Sequence, residues 1–161
     1  MFAIPLPFRR ALMLGGCLVA CFCGGTLASA AAAEKPAAAS PAKPKMATDA
    51  VLRQGMEDIA GSLGSRREAI EQNRLASADY LALADRTDAL LAAIVKNCKL
   101  DPKADAAFHA ILADMNHAVE LMRGRKVELQ RAGALALGQA LQNYATYFEH
   151  PGWAWSPAQP K

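Results

Sequence analysis

The sequence contains few valine, isoleucine and threonine residues, and it has no run in which apolar and polar residues alternate as they do in β-strands. Alanine, leucine, glutamine, glutamate and arginine dominate instead, and these residues favour helices. No segment repeats at the periods of solenoid proteins. A length of 161 residues corresponds to one domain. The composition therefore predicts a single all-α domain.

Motifs of the common enzyme and nucleic-acid-binding classes are also missing. There is no nucleophile triad pattern, no phosphate-binding glycine loop, and no carboxylate pair that stands apart from ordinary helix-surface charge. Charged residues make up 20% of the chain, the formal net charge is only +3, and lysine and arginine form no basic stripe. We therefore expect neither an enzyme nor a nucleic-acid-binding protein.

Cysteine is scarce, and three of the four cysteines precede residue 24. The chain has no C-x-x-C pair and no C-x-x-C-H motif, which excludes covalent attachment of a c-type haem. If the N-terminal segment is removed on export, Cys98 is the single cysteine of the mature chain. A lone cysteine in an oxidising compartment suggests a metal ligand, an intermolecular disulfide or a protected thiol.

The N-terminus has the pattern of a bacterial export signal. Arg9 and Arg10 give a positive start, an apolar stretch covers residues 11–20, and Ala28-Ser29-Ala30 is a small-residue cleavage site. The apolar stretch is too short and too rich in glycine for a membrane span. These features predict a signal peptide over residues 1–30 and a periplasmic protein.

A second processing route is the alternative. Leu18-Val19-Ala20-Cys21 resembles a bacterial lipobox, which would make residues 1–20 the signal and Cys21 the lipidated N-terminus of a membrane-anchored lipoprotein. Residues 31–47 are mostly alanine, proline and lysine, and they predict a disordered tether. The predicted folded domain covers residues 48–150, and a tail with two tryptophans covers 151–161.

Four segments with helical apolar periodicity follow the tether. The first two helices are predicted over residues 48–73 and 77–97, with Ser77 as the N-cap of the second. Asp101-Pro102 begins a third helix that ends at Gly124. A fourth starts near residue 125 or 126 and is stopped by Pro151-Gly152. Short connections between four helices predict an antiparallel up-down-up-down four-helix bundle.

This connectivity brings several unusual residues toward one end of the predicted bundle: Met56, Cys98, His109, Tyr144, Phe148, His150, Trp153 and Trp155. Thioether, thiolate and imidazole groups together suit copper, and less specifically zinc or haem iron. Met56, Cys98, His109 and His150 are therefore the candidate metal ligands. Structural roles are the alternative: Met56 and Cys98 as core residues, His150 as a cationic helix cap and the tryptophans as a lid.

Three stretches resemble the small soluble four-helix b-type cytochromes of the bacterial periplasm: Leu52-Arg53-Gln54-Gly55-Met56-Glu57-Asp58-Ile59, Phe108-His109, and Gln142-Asn143-Tyr144-Ala145-Thr146-Tyr147-Phe148. The resemblance implies a four-helix bundle and a haem held by a helix-one methionine, matched by Met56, and a helix-four histidine. The histidine position falls at or next to Ala145, where this chain has none. Residues 97–102 and 147–153 are also similar to uncharacterised proteobacterial envelope proteins.

Three functions follow as hypotheses. The first is an exported bundle that binds a metal ion or haem at one end. The second is a lipid-anchored interaction or chaperone-like module without a cofactor, which predicts an apolar patch or groove near Trp153 and Trp155. The third is a haem-b electron carrier.

Overall fold

The structure is a computed structural model, and it describes residues 44–156. Within this range the chain is all-helical, which confirms the predicted fold class at that level. Its helices are α1 (Ala50–Gly64), α2 (Arg67–Glu71), α3 (Ser77–Asn97), α4 (Pro102–Met122) and α5 (Val127–Tyr147). None of these helices is both long and apolar enough to cross a membrane. The predicted signal peptide, Cys21, and all but the last four residues of the predicted tether lie outside the described residues.

The capping signal at Asp101-Pro102 predicted the start of α4 correctly. Asp101 is the N-cap of α4, and its carboxylate accepts hydrogen bonds from the backbone N–H groups of Lys103 and Ala104, both at 3.0 Å. Pro102 occupies the first turn, where its missing N–H has no partner to lose. Asp49 caps α1 through Leu52, and its second oxygen accepts from the backbone N–H of Lys99, so one carboxylate ties α1 to the α3–α4 connection.

The prediction of one continuous helix over residues 48–73 is wrong. The helical hydrogen-bond pattern breaks after Ser65, because the Arg66 N–H bonds to the Leu63 carbonyl, three residues back, and α2 is a separate short helix. Glycines at 61 and 64 weaken the helix just before this break. The N-cap of α3 is Ala76 and not Ser77, and it makes no side-chain capping bond.

The fourth predicted helix also ends earlier than Pro151-Gly152 suggests. Met46 pairs with the chain after α5: its N–H donates to the Tyr147 carbonyl and its carbonyl accepts from Glu149 N–H, each at 2.8 Å. This pairing requires Phe148 to be extended, so α5 stops at Tyr147. Lys45, also within the predicted tether, donates to the carbonyl of Ala145 at 2.7 Å. Ordered contacts therefore begin a few residues before the predicted domain boundary.

The apolar stripes predicted from periodicity form the core. Buried side chains from all four long helices join one hydrophobic cluster, and Leu90, Leu112 and Cys98 pack against it half-buried. The most extensive pairing is α4 with α5, followed by α1 with α3 and α3 with α4, whereas α1 and α5 contact each other much less. The sparse contact between α1 and α5 leaves a surface groove, described below.

Candidate functional site

The predicted metal ligands lie in different environments. Met56 is fully buried in the core, and Cys98 is the half-buried C-cap of α3. His109 points outward with 64% of its side chain exposed, and its Nδ1 lies 2.9 Å from the Asp105 carbonyl oxygen. His150 is bonded inside an aromatic cluster. Within residues 44–156, no three His, Cys, Asp or Glu side chains stand close enough to hold a metal ion. The structure thus does not bring Cys98, His109 and His150 together, and the metal site stays a prediction.

The surroundings of Cys98 favour its neutral thiol over the thiolate. Burial raises the pKa of the Cys98 thiol, and the nearby carboxylates of Asp49 and Asp105 raise this pKa further. The thiolate is the form that coordinates metals and attacks electrophiles. Cys98 is therefore held as a neutral thiol at neutral pH, which suits a packing residue.

Haem does not fit the described residues. Met56 is enclosed in the same core as Tyr144 and Phe148, and the helix-four position that would supply the second ligand is Ala145. The rings of Tyr144 and Phe148 stack with their centroids 5.2 Å apart, and Phe108 meets Phe148 edge-on at 6.2 Å. Aromatic side chains therefore fill the end of the core where the resemblance places an axial ligand.

An aromatic and polar cluster closes this end of the domain. The Tyr144 hydroxyl lies 2.9 Å from Nδ1 of His150, and Nε2 of His150 lies 2.9 Å from Oε1 of Glu57. A carboxylate only accepts, so Nε2 carries the proton and Nδ1 accepts from the phenol. Trp153 covers both rings, with centroids 5.1 Å from Tyr144 and 4.8 Å from His150. Tyr144, His150 and Trp153, three of the eight residues predicted to lie near one another, are in contact.

Sequence reasoning missed Glu57, which lies beside Met56 on α1. No motif marks this glutamate, because it contacts His150 across 93 positions of the chain. The His150 side chain is only 1% exposed, and both of its nitrogens are engaged. This chain of hydrogen bonds anchors the residues after α5 to α1.

Burial raises the pKa of the Tyr144 phenol far above its usual value of 10.0. The negative charge of Glu57 adds to this rise, whereas Arg53 opposes it. Tyr144 is therefore neutral over the whole ordinary pH range and donates its proton to His150.

We predict a specific loss of stability in alkali. Above about pH 10 the unfolded chain ionises Tyr144 before the folded chain does, so the free energy of unfolding falls by up to about 1.4 kcal/mol per pH unit. Tyr80, whose pKa burial also raises, adds to the slope. Urea unfolding between pH 8 and 11 should show a shallower decline for Tyr144→Phe than for the parent. Tyr147→Phe, at an exposed position, should keep the parent's slope; equal slopes for both variants would contradict the prediction.

The tail beyond the cluster turns back along the helices. Gly152 has a φ of 81°, a left-handed conformation that favours glycine. The indole N–H of Trp155 donates to the Gly138 carbonyl at 3.2 Å, midway along α5. Arg67 covers the Trp155 ring, with its guanidinium carbon 4.4 Å from the centroid, and donates to the Ser156 carbonyl. Trp155 therefore does not lie at the end of the domain with Trp153, contrary to the prediction from connectivity.

Two surface cavities flank Trp155 and share its ring and Arg67 as walls. The first, of about 200 Å³, has an apolar floor between α1, α2 and α5 with Glu71 and Gln139 at its rim. The second, of about 460 Å³, runs along α1 between Glu57 and Gly64 and is bounded on its other side by residues 152–155. We call the two cavities together the tail groove. The predicted groove near the tryptophans is present, although Trp155 itself fills its middle.

Comparison with known proteins gives no further guide to the function. A scan against protein-family models, a search of curated proteins and a search of solved structures each found no match to this chain.

Proposed function

We propose that this protein is an exported binding module of the bacterial envelope, without a catalytic role, which holds a partner protein in the tail groove. In this proposal the four long helices form an antiparallel up-down-up-down bundle that acts as a rigid scaffold. The observation that carries the proposal is the pair of cavities on either side of Trp155. A concave, mostly apolar surface with a few polar groups at its rim is the usual form of a binding site.

The residues that line the groove favour binding of a partner over catalysis of a reaction. Leu63, Ile70 and Ala134 give the first cavity an apolar floor, whereas the charges of Arg67 and Glu71 lie at its rim. The titratable side chain nearest to a catalytic arrangement, His150, is buried and bonded on both nitrogens. A partner in the groove would meet apolar surface and hydrogen-bonding rims, and no poised acid, base or nucleophile.

Small residues on α1 keep the second cavity open. A Cβ atom at Gly61 would meet no heavy atom within 4 Å, and one at Gly64 would meet only the edge of the Trp155 ring at 3.9 Å. Ala60 lines the same wall. The two glycines lower the stability of this part of α1. They also leave its backbone uncovered by side chains, which allows another chain to approach closely.

Export and attachment rest on the N-terminal sequence. Cleavage after Ala30 would release the module into the periplasm, whereas lipidation at Cys21 would anchor it to a membrane through the predicted tether. Fractionation of cells that carry the parent or Cys21→Ala separates the two routes. Release from the membrane fraction by Cys21→Ala supports the anchor, and an identical distribution contradicts it.

Site-specific photo-crosslinking in living cells tests the binding function. We expect a crosslinking amino acid in place of Gly61, inside the groove, to give one discrete adduct, identified by mass spectrometry. The same group in place of the exposed Ala113 on α4, outside the groove, should give at least fivefold less of it. The Gly61 adduct should also disappear when Ala60→Trp fills the cavity.

Two results would count against the binding function. One is equal adduct formation from the positions of Gly61 and Ala113, which would indicate random collision. The other is an adduct that persists after Ala60→Trp, because the partner would then not enter the groove.

A further inference from the structure

The tail is bound to the helices in the way that a peptide ligand is bound to a receptor. Residues 153–156 lie across α1 and α5, the pair of long helices whose mutual contact is sparse. One indole N–H bond, one guanidinium–indole contact and one bond from Arg67 to the backbone carbonyl of Ser156 hold this segment. These contacts use Gly138 and Arg67, whereas His150 is held by Tyr144 and Glu57.

The groove selects for an indole in this position. Gly138 offers its carbonyl to the indole N–H, and a Cβ at Gly138 would lie 3.3 Å from the Trp155 ring, tighter than an ordinary contact. Arg67 places a planar cation over the ring. Arg67 also donates to a main-chain carbonyl, so the groove contacts an aromatic side chain together with a backbone carbonyl.

The two tryptophans of the tail are both half-buried, and they are held by different neighbours. Trp153 packs inside the aromatic cluster with Tyr144 and His150. Trp155 is half-buried at the surface between two cavities, and its neighbours Ala154 and Ser156 are exposed. The aromatic contacts that join Tyr144, His150 and Trp153 do not involve Trp155, so its release would leave that cluster in place. Residues 154–156 would then leave the groove while Trp153 stays bound.

We propose that the tail groove binds an extended peptide segment of the partner that carries a tryptophan, and that Trp155 is an intramolecular competitor for the same place. This inference rests on the proposed function, and it names the chemistry of the partner. The chain's own tail is the observation that identifies the occupant, because it shows an indole and a backbone carbonyl seated on Gly138 and Arg67. The space of about 200 Å³ beside Trp155 leaves room for neighbouring partner side chains.

Tethering gives the tail an advantage over a free peptide. A segment joined by a short linker acts at an effective concentration on the order of millimolar. A peptide added at micromolar concentration therefore meets a largely occupied groove, and its apparent affinity falls by the fraction of molecules in which the groove is free. Removing the Trp155 side chain should restore the full affinity.

Fluorescence anisotropy with a labelled peptide tests the inference. The probe has the sequence of residues 151–156, Pro-Gly-Trp-Ala-Trp-Ser, and the proteins are the parent and its Trp155→Ala variant, each with the same N-terminus and C-terminus. We expect Trp155→Ala to bind the probe at least tenfold more tightly than the parent does. A control peptide with alanine in place of its second tryptophan should lose this binding. Adding Arg67→Gln to Trp155→Ala should weaken binding of the probe at least threefold.

The possible results separate this inference from the proposed function. A helical, cooperatively folded Trp155→Ala protein that fails to bind the probe overturns the inference, while the Gly61 adduct in cells would still support a binding module. If Trp155→Ala does not fold, Trp155→Phe, which removes the indole N–H bond to Gly138 and leaves the groove residues unchanged, must bind the probe more tightly than the parent. If the parent instead dimerises through its tail, and Trp155→Ala abolishes the dimer, the groove belongs to a second copy and the partner peptide is excluded.

Discussion

Replacing Gly133 by alanine is expected to lower the free energy of unfolding by about 1–3 kcal/mol, as overpacked core positions do. A Cβ at this position would lie 2.6 Å from the Ala118 carbonyl oxygen and 2.7 Å from the Met122 backbone nitrogen. Both neighbours belong to the backbone of α4, so no side-chain rotation relieves the clash. The α4–α5 pair, the most extensive in the domain, would have to separate. Urea unfolding followed by circular dichroism measures the loss.

The same substitution at Gly61 is the matched control. Gly61 also lies within a helix, but its added Cβ meets nothing within 4 Å. Gly61→Ala should therefore gain about 0.5–1 kcal/mol from helix propensity alone. Opposite signs for the two glycine-to-alanine changes are the expected outcome. A stabilising effect of Gly133→Ala would show that α4 and α5 do not approach as closely as described.

His150→Ala is expected to cost about 2–4 kcal/mol, because it removes a buried ring and leaves the Tyr144 hydroxyl without its partner. The His150 side chain is 1% exposed and links Tyr144 to Glu57, so the loss also releases the residues after α5 from α1. Trp153 would lose one of its two ring contacts in the cluster. Denaturant unfolding and the fluorescence of Trp153 report the two effects together.

Two comparisons separate this network from a general effect of losing a histidine. His109→Ala removes an exposed side chain and should change stability by no more than about 0.5 kcal/mol. Tyr144→Phe removes only the hydroxyl and should cost about 1 kcal/mol. In the double variant His150→Ala/Tyr144→Phe, the loss of unfolding free energy should be smaller than the sum of the two single losses by about 0.5 kcal/mol or more. The reason is that both changes break the same hydrogen bond. Additive costs, or equal effects of His150→Ala and His109→Ala, would be incompatible with the network.

The candidate site was accessible from the sequence only in part. Topology alone placed Tyr144, His150 and Trp153 at one end, because helices joined by short connections must return to it. Topology does not say which way a side chain points or what it bonds. His109 faces outward and Met56 is sealed in the core, although both lie in helices that reach this end. A metal site needs donor atoms within a few ångströms of one point, and connectivity cannot supply that precision.

The tail groove, too, was only partly predictable from the sequence. The sequence predicts an apolar patch or groove near the two tryptophans, and its connectivity places both tryptophans at the end of the domain. Trp155 lies beside the middle of α5, because Gly138 leaves room for its ring and Arg67 lies over that ring. Neither Gly138 nor Arg67 carries a local signal for this role. Trp155, which contacts both residues, is 17 positions from Gly138 and 88 positions from Arg67 in the chain.

The sequence by itself determined the all-helical fold class, the bounds of α3, the capped start of α4 and the buried stripes, because each depends on side chains three or four positions apart. Only the tertiary structure decided where α1 breaks, where α5 stops and what surrounds His150 and Trp155. Met46 ends α5 by pairing beside Phe148, and Glu57 reaches His150 across the domain. Such contacts arise where distant parts of the chain meet on one surface. The helical period of 3.6 residues depends on local sequence only, so it does not predict them.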